Sequence, residues 1–377
     1  MNILMLSLDP NILRPDSNAG KRMFEYAGLV DTLSIVLFSA GGAKQERGNL
    51  AIYPTSRNKI ISFFKGLWIG YRIVRKEKYD LITIQDPFVL SFAAFPLAFL
   101  FRLPVQVQVH STFFSPYWKE SLKNTLYQLL ARVFMPQATC IRAVSERIKR
   151  DLLNGLNVSE SKVTVLPIFT DTAGIAHRTP SFDLRKKYVQ FDFLVLIVSR
   201  LVKQKNIALA IDAMKELTQK HPRIGLVIVG EGPDRAELEH HVTRHTLRDN
   251  VIFEGWTDDV VSYYRGADVF LLTSNYEGWA MTIIEAMASG TAVVMTDVGC
   301  AGEVVRNGEN GVVIPIGDQA ALTAAIERLY LNPTERTRLS EAGRQTALAL
   351  EPQTQEAYLA RYRKGWEQCV LRHKGNV

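Results

Sequence analysis

The feature that most constrains this chain is an alternation that runs its whole length. Short runs of apolar, often β-branched residues are separated by stretches with helical periodicity. Ile3–Leu8, Leu33–Phe38, Asp80–Ile84, Pro104–Val109, Thr139–Ala143 and Val163–Leu166 read as strands in the first half. Phe193–Ser199, Ile224–Val229, Val251–Phe253, Val269–Leu272, Ala292–Thr296 and Gly311–Ile314 read as strands in the second. Helical spacing occupies Gly20–Val30, Ile60–Lys78, Leu122–Phe134, Ile207–Thr218, Asp234–Arg244, Thr282–Ala288 and Ala320–Tyr330. Strands that are apolar on both faces and joined by helices make parallel sheets covered on both sides. The pattern occurs twice, so the expectation is an α/β chain of two doubly wound domains. The boundary falls in the polar, proline-flanked stretch Pro167–Pro180. The domains are expected at 1–168 and 175–354, and ligands at the carboxyl ends of the strands.

Composition narrows the partners. Of 377 residues, 47% are apolar and 22% charged, which is enough apolar material for two cores. The net charge of +7 is uneven. Residues 1–170 hold 21 basic and 12 acidic residues, a balance of +9; the remaining 24 basic and 26 acidic residues give −2. A basic first half implies an anionic partner there. Nucleic acid is a poor candidate, because no zinc-finger, helix-turn-helix or RNA-binding pattern accompanies the charge. Cys140, Cys300 and Cys369 are odd in number and far apart, which fits a reducing compartment. Asp9 and Pro10 end the first apolar run early, against a secretory signal. The longest uncharged apolar stretch, Pro87–Phe101, is shorter than the roughly 20 residues of a spanning helix. A soluble or peripheral, cytoplasmic protein is expected.

Three segments carry chemistry. After the strand Val269–Leu272, a loop bearing Glu277 and Gly278 leads into a helix bearing Glu285. Amides of Met281 and Thr282 at that helix's start attract phosphate through free N–H groups and the dipole. The flanking carboxylates can accept bonds from hydroxyls. Phosphate beside hydroxyls describes a nucleotide sugar, although two surface glutamates on an ordinary helix would show the same spacing. In the second segment, Arg200 follows a strand end and Lys205 comes five residues later. They could form a fork and a point charge for phosphate, or be two solvated cations. In the third, Gly230 and Gly232 open a Gly-Pro turn that is not a dinucleotide fingerprint, since Arg235 holds the third glycine's place.

Taken together and in this order, these segments resemble the retaining glycosyltransferases of family 4. The resemblance is carried by Glu277-x7-Glu285, Arg200-x4-Lys205, Gly230-x-Gly232-Pro and the Gly308–Gly311 stretch, and is strong over roughly 193–330. It implies the GT-B architecture: two facing Rossmann-like, doubly wound domains with a cleft between them, and a C-terminal helix, about 355–377, crossing back onto the first. It implies that Arg200 and Lys205 hold the donor diphosphate, Glu285 the ribose hydroxyls, Glu277 the sugar ring, and the Met281 and Thr282 amides the distal phosphate. His110, ending a first-domain strand, would contact the sugar from the acceptor side; a locally satisfied histidine is the other reading. Ala280 and Ser199 stand where that family commonly has glycine. Asp16–Gly20 replaces its Gly-Gly loop, leaving Gly20 as the one candidate donor contact there.

Further expectations follow from the resemblance. The reaction would be transfer with retention from a UDP- or GDP-sugar to a hydroxyl of a glycan or lipid-linked acceptor, in cell-surface polysaccharide or glycolipid synthesis. No cofactor or metal would be needed, and no Asp-x-Asp pair is present. His241 and His245 stand at i, i+4 without a His-Glu-x-x-His pattern and read as a solvated face. An epimerase or glycosyl phosphorylase on the same fold is the alternative. Residues 57–78 interleave seven cations, Lys65 and Arg72 among them, with Phe63, Phe64, Trp68 and Tyr71. That pattern suits the inner face of an anionic membrane, or a helix packed on its own sheet. Phe113, Phe114, Tyr117, Trp118 and Lys119 form a loop for acceptor or lipid, or one packed on its own domain.

Overall fold

The computed structural model describes residues 1–118 and 122–375. Contacts cluster into two units: Met1–Pro167 with Gln355–Val377, and Ile168–Thr354.

Unit 1 runs β1 (Asn2–Ser7), α1 (Asn18–Ala27), β2 (Thr32–Leu37), β3 (Gln45–Arg47), β4 (Leu50–Pro54), α2 (Lys59–Lys76), β5 (Leu81–Ile84), α3 (Ser91–Phe101), β6 (Val105–Val109), α4 (Leu122–Phe134), β7 (Cys140–Ala143), α5 (Glu146–Leu156) and β8 (Val163–Val165). The sheet order is β3-β4-β2-β1-β5-β6-β7-β8. All pairs are parallel except β3–β4. Side-chain caps start the helices where the sequence supplies them: Ser17, Asn58 and Ser145 each accept a bond from a first-turn amide. Right-handed crossovers place α1 on one face of this sheet and α2, α3 and α4 side by side on the other. Phe92 and Phe95 of α3 meet Phe134 of α4 at ring separations of 5.0 and 5.3 Å.

Four elements of unit 1 differ from the sequence reading. β3 and β4 form an edge hairpin where no strand was expected, α3 is a helix despite Pro96, and α5 fills an unread stretch. The helix α14 (Gln355–His373) closes unit 1. It buries Tyr358, Tyr362, Trp366 and Cys369, one face at helical spacing. Tyr362 stacks on Tyr26 of α1 at 4.1 Å. Arg142 of β7 is buried beneath them. It donates to Tyr358 Oη (3.1 Å), Gln108 Oε1 (3.1 Å), and the carbonyls of Leu166 (2.9 Å) and Pro167 (3.3 Å). One guanidinium therefore holds both the point where the chain leaves unit 1 and the point where it returns.

Unit 2 begins with two short helices, α6 (Thr172–His177) and α7 (Leu184–Lys187), the first inside the stretch expected to hold the domain boundary. It continues β9 (Phe193–Val198), α8 (Ile207–Lys220), β10 (Ile224–Val229), α9 (Arg235–Arg244), β11 (Val251–Glu254), α10 (Val260–Gly266), β12 (Val269–Leu272), α11 (Met281–Ala288), β13 (Ala292–Thr296), β14 (Val312–Ile314), α12 (Gln319–Leu331) and α13 (Pro333–Leu348). The all-parallel order β11-β10-β9-β12-β13-β14 reverses direction between β9 and β12. Crossovers diverge there, opening a crevice outside the carboxyl ends of those two strands.

Candidate active site

The loops after β9 and β12 meet at that switch point and are stitched together. Thr273 Oγ1 donates to the Lys205 carbonyl (2.9 Å), the Asn275 amide to the Gln204 carbonyl (2.9 Å), and Gln204 Nε2 to the Tyr276 carbonyl (2.8 Å). Asn206 Nδ2 donates to Asn275 Oδ1 (3.1 Å). These bonds fix Lys205 opposite Glu277. Lys205 Nζ lies 2.5 Å from Glu277 Oε1, and Ser274 Oγ donates to the same carboxylate at 2.7 Å. Both side chains are largely buried, so the pair forms at reduced dielectric. Arg200 stands exposed at the end of the preceding strand.

The loop bearing Glu277 leads directly into the N-terminus of α11. Its cap is Ala280, which offers no side-chain acceptor to the helix's first amides. Ala280 adopts φ +74°, ψ 64°, a left-handed conformation that costs an L-residue roughly 1–2 kcal/mol. The strain sits where the chain must turn sharply into α11, which is the conformation glycine adopts freely. Beside it Trp279 is buried, and its indole N–H has no acceptor among the described residues. Gly299, at φ +55°, lets the loop after β13 pass beneath: a Cβ there would lie 2.9 Å from the Trp279 carbonyl.

Glu285 faces inward one turn further along α11. Tyr264 Oη of α10 donates to its Oε2 at 2.9 Å. Burial pushes the carboxyl above its usual range, offset in part by Tyr264 and Arg178. Gly230 (φ +135°) and Gly232 have a packing reason of their own. A Cβ on either would strike the Ser199 or Leu201 carbonyl, at 2.0 and 2.2 Å. The turn after β10 is thereby pressed onto the loop carrying Arg200. Arg200, Lys205, Glu277, Met281, Thr282, Glu285 and the two glycines thus all belong to unit 2. The arrangement combines two cations, a helix N-terminus and two carboxylates: groups for a diphosphate and for hydroxyls.

Residues 183–346 match the family model of glycosyl transferases group 1, and residues 32–173 that of glycosyltransferase family 4. The chain belongs to glycosyltransferase family 4. Among its relatives, the lipopolysaccharide core biosynthesis glycosyltransferase LpsE of Rhizobium meliloti is 33% identical over 153 residues, 41% of this chain and 44% of that one. A UDP-Gal:α-D-GlcNAc-diphosphoundecaprenol α-1,3-galactosyltransferase of Escherichia coli is 26% identical over 279 residues, 72% of this chain and 71% of that one. The chain spans less than half the length of the first curated relatives it matches. Among solved structures, sucrose-phosphate synthase from Thermosynechococcus elongatus superimposes with a TM-score of 0.81 at 20% identity, covering 98% of this chain and 99% of that one. Anabaena HepE in complex with UDP gives 0.75 at 20% identity, with the same coverage. The fold is GT-B.

The remaining candidate residues of this family 4 chain lie in unit 1. His110 follows β6, and burial together with the charges of Arg142 and Arg22 pushes its pKa down to about 3, so the imidazole is neutral at physiological pH. Gly20 sits in α1 with its N–H bonded to Ser17 Oγ (2.9 Å). A Cβ there would meet the Arg14 carbonyl at 2.0 Å, so its smallness serves packing. Phe113 and Trp118, expected at an acceptor or lipid surface, are instead buried with Phe88. Phe114 packs on Phe113 at 4.7 Å and over Gly155, which leaves Tyr117 as the exposed aromatic of the loop. They fill the space between α4, α5 and the sheet, where a small domain needs aromatic volume. Lys119 lies outside the described residues.

The α2 surface is reversed from an ordinary amphipathic packing. Its buried face is Ser62, Gly66 and Gly70, followed by Ile73 and Val74. A Cβ on Gly66 would meet the Phe38 ring at 2.3 Å, so close approach requires the small residues. Ile60, Ile61, Phe64 and Trp68 point to solvent, with Arg72 stacked on Trp68 at 4.6 Å. Lys65, also exposed, donates to the Thr55 carbonyl (3.0 Å). The sequence signal for this reversal was available: small residues four apart at 62, 66 and 70.

Proposed function

We propose that this chain transfers a sugar, with retention of configuration, from a nucleoside-diphosphate sugar to a hydroxyl of a membrane-bound, lipid-linked glycan. The observation that carries it is the convergence, in unit 2, of Arg200, the Lys205–Glu277 pair and the uncapped start of α11. In this reading Arg200, Lys205 and the Met281 and Thr282 amides neutralise the diphosphate as it leaves, so no metal is required. Glu285 receives the ribose hydroxyls and Glu277 orients the sugar ring. The donor's own phosphate oxygen takes the acceptor proton, and the new bond forms on the face the old one leaves. His110, neutral, supplies a hydrogen bond to the sugar rather than a charge, and Gly230 and Gly232 set the wall beside the base. The E. coli relative is named for a UDP-sugar and a polyprenyl-diphosphate acceptor, and the Anabaena HepE structures hold UDP and UDP-glucose. Both support the donor class.

The test is thermal shift against UDP- and GDP-sugars, with Glu285→Gln alongside. A donor that binds the folded state raises its melting temperature. Losing a bond to a charged group weakens binding by about 1.5–3 kcal/mol, so the variant should bind its donor roughly 10- to 150-fold less tightly. Its ligand-free stability should move the other way. The raised carboxyl pKa means the folded chain holds the Glu285 proton more tightly than the unfolded chain. Stability is therefore lost as pH rises from the ordinary carboxyl value, about 4.3, through the raised one. Glutamine removes that loss while still accepting from Tyr264. At pH 7 the variant should melt higher than wild type, with the gap closing near pH 4. An unchanged donor shift in the variant would refute Glu285's role.

The acceptor side rests on the exposed layer of α2, α3 and α4. Beside the α2 residues it presents Phe99 and Leu100 of α3, and Leu122, Leu126, Leu129 and Val133 of α4. No described helix is long and apolar enough to cross a membrane. Exposed apolar residues beside Lys59, Lys65, Arg72, Arg75 and Lys76 suit partial insertion into the anionic inner face of the cytoplasmic membrane. Wild type should sediment with anionic vesicles at low salt, and Phe64→Glu/Trp68→Glu should stay in the supernatant. Sedimentation of neither protein would exclude the membrane.

A further inference from the structure

One cluster of metal-ligating side chains lies apart from the crevice and from α2. His241, in the last turn of α9, and His245, its C-cap, stand one helical turn apart. The fold lays Asp212 of α8 across them. His241 Nε2 is 2.7 Å from Asp212 Oδ1 and His245 Nε2 is 3.2 Å from the same oxygen. The two rings are perpendicular, with centroids 4.6 Å apart. All three ligand atoms lie within 4.8 Å of one another, and the three side chains are partly exposed. The sequence showed the i, i+4 pair but not the carboxylate, which comes from a different helix 29 residues earlier.

We infer that Asp212, His241 and His245 form a binding site for a divalent transition metal, zinc in the first instance, that ties α9 to α8. Zinc takes imidazole nitrogen and carboxylate oxygen at about 2.0–2.2 Å, so ligand atoms at the corners of its tetrahedron stand roughly 3.3 Å apart. The observed 2.7 and 3.2 Å nitrogen–oxygen separations are near that edge already, and the two nitrogens lie within 4.8 Å of each other. Two nitrogens aimed at one oxygen is also an arrangement that a cation improves. Without it, each imidazole must spend an Nε2 proton on the same acceptor. With it, both lone pairs and the carboxylate charge are used, and the fourth position remains open to water. Histidines one turn apart chelate without rearranging the helix, and mixed imidazole–carboxylate sets suit zinc, nickel or copper over magnesium or calcium. The site would be structural. The cation would hold the far end of the helix whose start follows the Gly230–Pro233 turn. The metal-free transfer chemistry proposed above does not depend on it.

Calorimetric titration of the full chain with zinc chloride at pH 7.5 tests the inference. Cobalt(II) absorption reports the ligand geometry. The expected result is one ion per chain. His241→Asn, His245→Asn and Asp212→Asn should each weaken binding at least tenfold, while His240→Asn, an exposed neighbour on the same helix, should not. The asparagine variants keep a polar side chain of similar size, and circular dichroism of each shows that the helices persist. Equal uptake by wild type and the His241→Asn/His245→Asn double variant, or loss of uptake in His240→Asn, would overturn the assignment.

Discussion

Trp366→Ala is expected to cost unit 1 roughly 3–5 kcal/mol, the usual range for removing a large aromatic side chain from a packed core. Trp366 has no exposed surface and meets Tyr362 and Tyr26 edge-on at 4.9 and 6.1 Å. Its indole N–H has no acceptor among the described residues. The loss is therefore one of packing, with no hydrogen bond to rearrange in compensation. Domains are stable by only about 5–15 kcal/mol in total, so this is roughly a fifth or more of what holds the unit together. Urea denaturation of the full chain should show a transition for unit 1 moved to lower urea, with that of unit 2 in place. Trp256→Ala, at an exposed site in unit 2, should shift stability by less than about 0.5 kcal/mol. A Trp366→Ala profile that matches wild type would mean α14 does not close unit 1.

Lys205→Met carries the largest expected effect on turnover. The ammonium balances the Glu277 carboxylate in the resting site and, in the proposed reaction, the diphosphate as charge builds on it. Losing one preorganised group that meets developing charge costs roughly a hundred- to a thousandfold in kcat. The variant should also lose stability, because Glu277 keeps its charge in a largely buried place without the lysine. The two effects can be separated. Lys205→Met/Glu277→Gln should recover the melting temperature, since no buried charge is left over, and should recover no activity. Activity regained together with stability would assign Lys205 a purely structural part.

What could be read from the sequence was what parallel sheets make conspicuous. Strands such as Phe193–Val198 and Ile224–Val229 are buried on both faces, so they appear as unbroken apolar runs between periodic helices. The edge hairpin β3–β4 escaped because Gln45–Arg47 is polar and Leu50–Pro54 buries only alternate residues. The helix α3 escaped because it is apolar all round and contains Pro96, so no period marks it. The chemistry-bearing residues of unit 2 were legible because they follow a strand end closely or open the helix after it. Their supports were not. Tyr264 reaches Glu285 from 21 residues away, Gln204 and Thr273 act through backbone carbonyls, and nothing local distinguishes such polar residues from any others. Aromatic content misled in both directions: Phe113 and Trp118 turned inward, while α2 buried its glycines and left its rings outside.

The clasp of Arg142 on Leu166, Pro167 and Tyr358 has a consequence for how the chain is made. Ribosomal synthesis usually lets the first domain fold while the next is still emerging. Here unit 1 waits for α14, which follows the whole of Ile168–Thr354. At about 5–20 residues per second, the 187 residues between take roughly 10–40 s. Throughout that interval Tyr26 and the Arg142 guanidinium face a groove without its helix. Unit 2, contiguous in the chain, can finish first. The order of folding is then the reverse of the order of translation, and the nascent first unit is the species most in need of a chaperone.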